Sequence, residues 1–259
     1  MNNKIINILS AHQPAFLPWA GFIEKIGLSE VFIIMDIAKF RNRAFMHRNR
    51  IEINNKPFFL GLHLAKGSDV KRCNEIFINP NFSNDLKDIS NKIKMTYMKS
   101  KFFNDVENFC YECLDNIDNK LNLVEITTIQ IKFLIKQFKF KTELKLESSF
   151  LNEEKMQNLD ASRRLLEHAK YFNAKCYVTG INSSNYLDKS IFDADNITNF
   201  IQKFNYDPYL RYQKSDMPLS IVHQIANIGL KNMGELLNKN IETTKEEIRY
   251  YEFREKNIS

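Results

Sequence analysis

The sequence is short of the residues that build the commonest recognisable active sites. It has seven glycines in 259 residues, too few for a glycine-rich phosphate clamp, and no Walker loop or G-x-G-x-x-G occurs. Neither G-x-S-x-G nor H-E-x-x-H is present, so the usual hydrolase and metalloprotease signatures are missing. Four cysteines do not make a disulfide framework in a chain of this length. Cys110-Tyr-Glu-Cys113 is formally C-x-x-C, but it lacks a second pair and lies in a helical pattern, so no metal site is expected. No apolar run approaches the roughly 20 residues a membrane span requires, and Met1 to Lys4 show no secretory pattern. The expectation is a cytoplasmic protein without a membrane span. The 21 Phe and 10 Tyr fall at core spacings rather than between surface cations, so nucleic acid is not an expected partner.

What the chain does have is concentrated near its start. Ile5 to Leu9 reads as a buried strand, and Val31 to Met35 reads as another that ends in Asp36. Between them lies Ser10-Ala-His-Gln-Pro-Ala-Phe-Leu-Pro-Trp-Ala-Gly-Phe-Ile-Glu-Lys25. Pro18 suits the first position of a helix, where its missing N–H is no loss. Trp19, Phe22, Ile23 and Ile26 then share one helical face, and Gly27 supplies the stop. If the two strands pair in parallel, His12 and Gln13 leave the sheet at the same edge as Asp36. That edge is where open α/β sheets place their ligands.

A basic loop follows, with Arg41, Arg43, His47, Arg48, Asn49 and Arg50 offering donors to an anion. Ile51 to Leu64 reads as a hairpin turning at Asn54-Asn55-Lys56, and Glu75 to Asn79 as one more short strand. From Ser83 to about Phe140 the period is helical. Asp160 is a plausible N-cap for a helix whose first turn carries Ser162, Arg163 and Arg164, and a bound anion there would offset two cations at a positive helix end. Cys176 to Gly180 reads as a buried strand ending in Thr179-Gly180, with Tyr186 and Asp188 just beyond. Ile197 to Phe204 and a helix over Leu219 to Leu230 complete the pattern. The alternation predicts an α/β fold, a largely parallel sheet flanked by helices with a helical insertion in the middle of the chain. Its expected parts are an N-terminal strand-helix-strand unit with loop and hairpin (1–82), the insertion (83–140), a C-terminal part completing the same domain (141–245), and a charged tail (246–259).

Several of these stretches together resemble the WbqC-like family of bacterial proteins. They are H-Q-P-A-F-L-P-W-A-G-F-I-E-K (12–25), the strand ending at Asp36, H-R-N-R (47–50), S-R-R-L-L-E (162–167), Y-V-T-G (177–180), Y-L-D (186–188) and P-L-S-I (218–221). His223 departs from the acidic residue expected there in similar sequences. The resemblance implies a setting in O-antigen and other surface-polysaccharide biosynthesis, and work on an activated sugar. The leading expectation is a transferase that adds an acyl or aminoacyl group to an amino sugar, as its nucleotide-linked form. Such chemistry needs a base near the amine and cations near a diphosphate. His12 and Asp36 are the candidate catalytic groups. Gln13, Trp19, Lys25, His47, Arg48, Asn49, Arg50, Ser162, Arg163, Arg164, Thr179, Gly180, Tyr186 and Asp188 are the candidate substrate-binding groups. No resident cofactor is called for beyond an activated acyl donor, and a homo-oligomer is left open. A nucleotidyltransferase-like enzyme, or a non-catalytic sugar-nucleotide-binding or scaffold protein, are the alternatives, with a nucleotide-linked sugar or other anionic small molecule as the partner in each case.

Overall fold

A computed structural model describes residues 5–42, 44–210, 213–214 and 217–258; Arg43 lies outside them. Strand β1 (Ile6–His12) leads into helix α1 (Ala20–Leu28) and β2 (Val31–Ile34). A hairpin of β3 (Arg48–Ile53) and β4 (Lys56–Gly61) precedes helices α2 (Asp85–Tyr97), α3 (Phe103–Cys110) and α4 (Leu123–Phe138). Then come β5 (Glu143–Leu146), α5 (Glu153–Gln157), α6 (Ala161–Tyr171), β6 (Ala174–Gly180), α7 (Ser190–Ala194) and β7 (Thr198–Gln202). Helices α8 (Asp207–Leu210), α9 (Ile221–Ile228) and α10 (Leu230–Ile258) end the chain.

Five strands form one parallel sheet in the order β5-β2-β1-β6-β7. The expected α/β architecture is therefore present. Both faces are covered, which is why β2 is apolar at all four positions instead of alternating. Its Phe32 and Ile34 pack with Phe22 and Ile23 of α1, Leu134 of α4 and Leu237 of α10. Val31 and Ile33 face the other way, with Leu165 and Ala169 of α6 and Phe192 of α7. Helices α2 to α4 share the first of these cores through Ile93, Phe109 and Leu134, so the insertion is continuous with the sheet's own packing.

The order matters for function. The chain moves outward from β1 to β2 and β5, then crosses back to lay β6 and β7 on the other side of β1. Direction reverses between β1 and β6, and a crevice opens at such a switch point outside the carboxyl ends of the strands. β1 ends in His12 and β6 in Gly180.

The hairpin turns where expected, because Asn54 and Asn55 both adopt positive φ, 51° and 60°, as a two-residue turn of this hand requires. Glu75 to Asn79 is not a strand. Leu64↔Ile78 and Phe77↔Asn122 are isolated bridges, and a single-turn helix occupies Cys73–Glu75. The charged tail expected over 246–259 is, as far as Ile258, part of α10. Its Ile248 is buried against Cys176 and Val178 of β6.

Candidate active site

The loop from Gln13 to Trp19 is held from several sides. Leu17 sits at φ 47°, uncommon for a residue with a branched side chain and unfavourable without external support. Its N–H donates to Gln130 Oε1 of α4 at 2.8 Å, and its carbonyl accepts from Asn49 Nδ2 of β3 at 2.6 Å. The Pro18 carbonyl accepts from Ile221 N at 2.6 Å. Trp19, half-buried, folds its indole back over Gly21; a Cβ on Gly21 would come within 2.1 Å of that ring. Glycine is therefore required at the second helical position by the tryptophan two residues before it.

His12 stands at the end of β1 with one edge exposed and its ring edge-on to Phe22 at 5.0 Å. Its Nδ1 lies 2.9 Å from the Gln13 carbonyl. A carbonyl can only accept, so Nδ1 carries the proton and Nε2 presents a lone pair. The protein atoms packed around the ring, and then the Lys25 ammonium, lower its pKa to about 3, partly offset by the bond to Gln13. The solvent-reaching edge moderates the effect of that packing; the direction leaves His12 neutral at physiological pH. Lys25 is buried beneath it, donating to the Ala11 carbonyl at 3.1 Å, and burial pushes its pKa down to about 7. Across the crevice, nothing lies within 4 Å of where a Cβ on Gly180 would stand, so the end of β6 faces open space. Thr179 is buried, accepting from Ser183 Oγ at 2.8 Å.

Asp36 leaves the same sheet edge but is not the partner of the His12 ring. Its carboxylate accepts from Ser148 N at 3.0 Å and Ser148 Oγ at 2.5 Å, tying the end of β2 to the turn after β5. The two arginines of α6 separate. Arg164 forks onto Glu147, with Nε donating at 2.6 Å and Nη2 also bonded. Glu147 further accepts from His168 Nε2 at 2.8 Å, and His168 Nδ1 meets the Tyr177 hydroxyl at 3.1 Å. Burial alone would raise the Glu147 pKa, but His168 and Arg164 hold it below the usual carboxylate range. Arg164 is therefore committed to a buried ion pair instead of being available for phosphate. Arg163 is exposed, with Asp160 at 3.6 Å. Asn49 is likewise committed to Leu17. Ser162 accepts from Asp188 N at 2.9 Å, and Asp188 caps Ser190, so both close the loop after β6. Tyr186 is exposed beside that loop; the partial burial of its ring raises its pKa, and the nearby Arg41 offsets only part of that rise.

Arg48 and Arg50 rest on aromatic rings. The Arg50 guanidinium is 5.0 Å from the Phe45 centroid and 5.6 Å from Phe59, and Arg48 is 4.9 Å from Phe59. Arg50 donates to the Met217 thioether, a weak acceptor, and its buried Nε has no partner. Among the described residues neither arginine is paired with a carboxylate. Tyr206, in the loop after β7, stacks on Trp19 at 5.5 Å and feels the charge of Arg50. Glu24 was also missed. It is buried, accepts from Gln202 at 2.9 Å, and burial raises its pKa; the signal was a pair of charged residues, Glu24 and Lys25, inside an apolar helix. The five stretches after β1, β2, β5, β6 and β7 leave the sheet at one edge, and within the stretch after β2 His47 lines a small cavity with Phe40 and Leu62.

A larger cavity of ≈ 760 Å³ lies between the α2–α3 connection and α9–α10, and none of these rim residues lines it. His223 nearby is buried, with Tyr97 Oη at 2.9 Å from its Nδ1. Among the described residues no helix is long and apolar enough to cross a membrane, and no group of three or more His, Cys, Asp and Glu is placed to hold a metal ion.

Fold and site define a doubly wound α/β protein with a histidine at its switch point and, on its hairpin, two arginines that among the described residues have no carboxylate partner. The chain matches the WbqC-like protein family over residues 13–235 and belongs to that family. No curated protein and no solved structure matches it.

Proposed function

We propose that the carboxyl edge is the active site of a transferase that attaches an acyl or aminoacyl group to the amine of a nucleotide-linked amino sugar, in the making of bacterial surface polysaccharide. The observation that carries this reading is His12 at the end of β1 with its Nδ1 2.9 Å from the Gln13 carbonyl, a contact that calls for the proton on Nδ1 and leaves the lone pair on Nε2. The sugar amine attacks the carbonyl carbon of the activated donor; the N–C bond forms and the bond to the donor's leaving group breaks. The nitrogen becomes strongly acidic as it bonds, so even a weakly basic imidazole accepts its proton at Nε2 and passes it to the leaving group or solvent. Arg48 and Arg50, already positioned on Phe45 and Phe59, hold the diphosphate. Gln13 reads sugar hydroxyls, and the space beside Gly180 admits the reacting groups.

The same tautomer weighs against nucleotidyl transfer. Phosphate oxygens need donors, whereas Nε2 offers a lone pair and its protonation is disfavoured. Incubating the protein with UDP- and dTDP-linked amino sugars and with acyl-CoA or aminoacyl donors, and following product mass, tests the reading. A mass increase equal to the acyl group is expected for the wild type, and His12→Asn should lose at least ~100-fold in rate while keeping sugar-nucleotide affinity. Pyrophosphate release from nucleoside triphosphates would favour the nucleotidyl alternative. Retained binding and retained polysaccharide assembly in His12→Asn would favour a non-catalytic role.

A further inference from the structure

His63 lies just beyond β4 and meets Asp85, the first residue of α2. Its backbone is fixed at both polar groups: the N–H donates to Asp85 Oδ2 at 2.5 Å, and the carbonyl accepts from Asn79 N at 2.7 Å. Its ring is fixed as well. Nδ1 lies 2.8 Å from Asp85 Oδ1, and Phe82 stacks on one face with the centroids 4.0 Å and the planes 14° apart. The Asp85 side chain is 7% exposed, that of His63 60%. A carboxylate only accepts, so in the neutral imidazole the proton is on Nδ1 and the lone pair on Nε2. Among the described residues Nε2 makes no hydrogen bond. With one nitrogen and one face covered, the exposure falls on the Nε2 edge and the opposite face.

This combination occurs once. Of the five histidines, His47, His168 and His223 are buried, and His12 meets a backbone carbonyl instead of a carboxylate. A carboxylate on the inner nitrogen orients the outer one, an arrangement shared by metal-ligating and nucleophilic histidines. A metal centre draws on three or more protein ligands, and among the described residues no such group is assembled. His63 lines neither of the two cavities, which suits an acceptor reached from solution better than a substrate site. An acyl group on imidazole is quickly lost to water, whereas a phosphoryl group on Nε2 persists at neutral and alkaline pH. We propose that His63 is a modification site, taking a phosphoryl group on Nε2 from a small activated phosphoryl donor. The lone pair attacks phosphorus and the N–P bond forms. The bond to the leaving group breaks with its electron pair, as ammonia from phosphoramidate or a carboxylate from an acyl phosphate. Through Nδ1–H, Asp85 stabilises the positive charge that develops on the ring, and that proton then passes to solvent. His63 is modified in this way whether or not the carboxyl edge is catalytic.

The test is reaction of the full chain with phosphoramidate above the ordinary titration range of histidine, followed by intact mass, peptide mapping and phosphorus NMR. The wild type should gain a phosphoryl group at His63 Nε2 at least about ten-fold faster than N-acetylhistidine does under the same conditions, as one charge-assisted contact to the developing charge implies. Asp85→Asn, checked by thermal melting to be folded, should slow the reaction by about ten-fold. His63→Gln should leave that peptide unmodified. Long-range nitrogen NMR of the wild-type ring is independent of any variant's folding and should show the Nδ1–H tautomer. Four results would overturn the proposal: a rate within about two-fold of N-acetylhistidine, faster modification of His12 than of His63, an Nε2–H tautomer at His63, or a folded Asp85→Asn protein that reacts at the wild-type rate.

Discussion

Arg163 and Arg164 are neighbours at the start of α6 and meet opposite surroundings. The Arg164 side chain is 15% exposed and forks onto a Glu147 carboxylate that is fully buried; the Arg163 side chain is 70% exposed. Removing one member of a buried pair leaves the other charge unpaired, and this costs far more than the pair gains in net terms. Arg164→Ala should therefore destabilise the fold by about 3–5 kcal/mol, and Arg163→Ala should stay within about 0.5 kcal/mol. Neither should affect sugar-nucleotide affinity the way Arg50→Ala does, if the hairpin arginines carry the phosphate. Denaturant melts paired with binding titrations check both halves. An Arg164→Ala protein of wild-type stability would mean that His168 alone satisfies Glu147. The sequence could mark these arginines as a conflict at a positive helix end, but not its resolution. The partner lies 17 residues earlier, in a turn that no local pattern ties to α6. Asn49 was obscured in the same way: its use is a backbone carbonyl 32 residues away.

At the scale of elements, local pattern was enough to locate β1, β2, β6 and the hairpin, because short apolar runs bounded by turn residues have few other readings. It also placed His12 and Asp36 on one edge. It could not give the pairing of β6 with β1, which depends on a crossover spanning α5 and α6, and it is this pairing that turns His12 and Gly180 into two sides of one crevice. Phe77 and Ile78 misled for a related reason: each is used in a single bridge with a different partner. The last helix shows the limit most clearly. Its charge density after Thr243 argues for solvent on every side, yet a few apolar residues at helical spacing suffice to dock it. Ile248 covers the sheet face formed by Cys176, Val178 and Phe200. Ile248→Ala should cost about 2–4 kcal/mol, and limited proteolysis should then cut within α10 before the sheet. A loss below 1 kcal/mol would show that the helix adds length without stability.

Taken as a whole, the molecule holds an unusual number of ionisable groups neutral by burying them, and that sets its dependence on pH. His47 is pushed to about 4, and His168 is lowered by burial against the opposing pull of Glu147. Both groups take up protons near 6.5 when the chain unfolds, so below that pH the unfolded state binds more protons and stability falls as acid is added. Each uncompensated proton is worth up to about 1.4 kcal/mol per pH unit. Glu147, whose pKa is lowered, acts in the same direction below about 4.5. Lys25 extends the trend upward. Its folded value of about 7 lies below the ordinary 10.5, so stability keeps rising as pH climbs between the two. Opposing it, burial raises the pKa of the Cys73, Cys110 and Cys113 thiols from 9.0. Above pH 9 the unfolded chain loses those protons first and stability drops. Tyr97, Tyr177 and Tyr209 add to that fall from 10 onward. Three thiols outweigh one lysine, so the summit should lie at about pH 8–9, above the usual range of about 5–8. Urea midpoints measured from pH 5 to 10 give the curve directly. His47→Gln should flatten its acid side and Lys25→Met the rise between pH 7 and 9, while a summit near pH 6 in the wild type would mean that these groups are hydrated in the folded state.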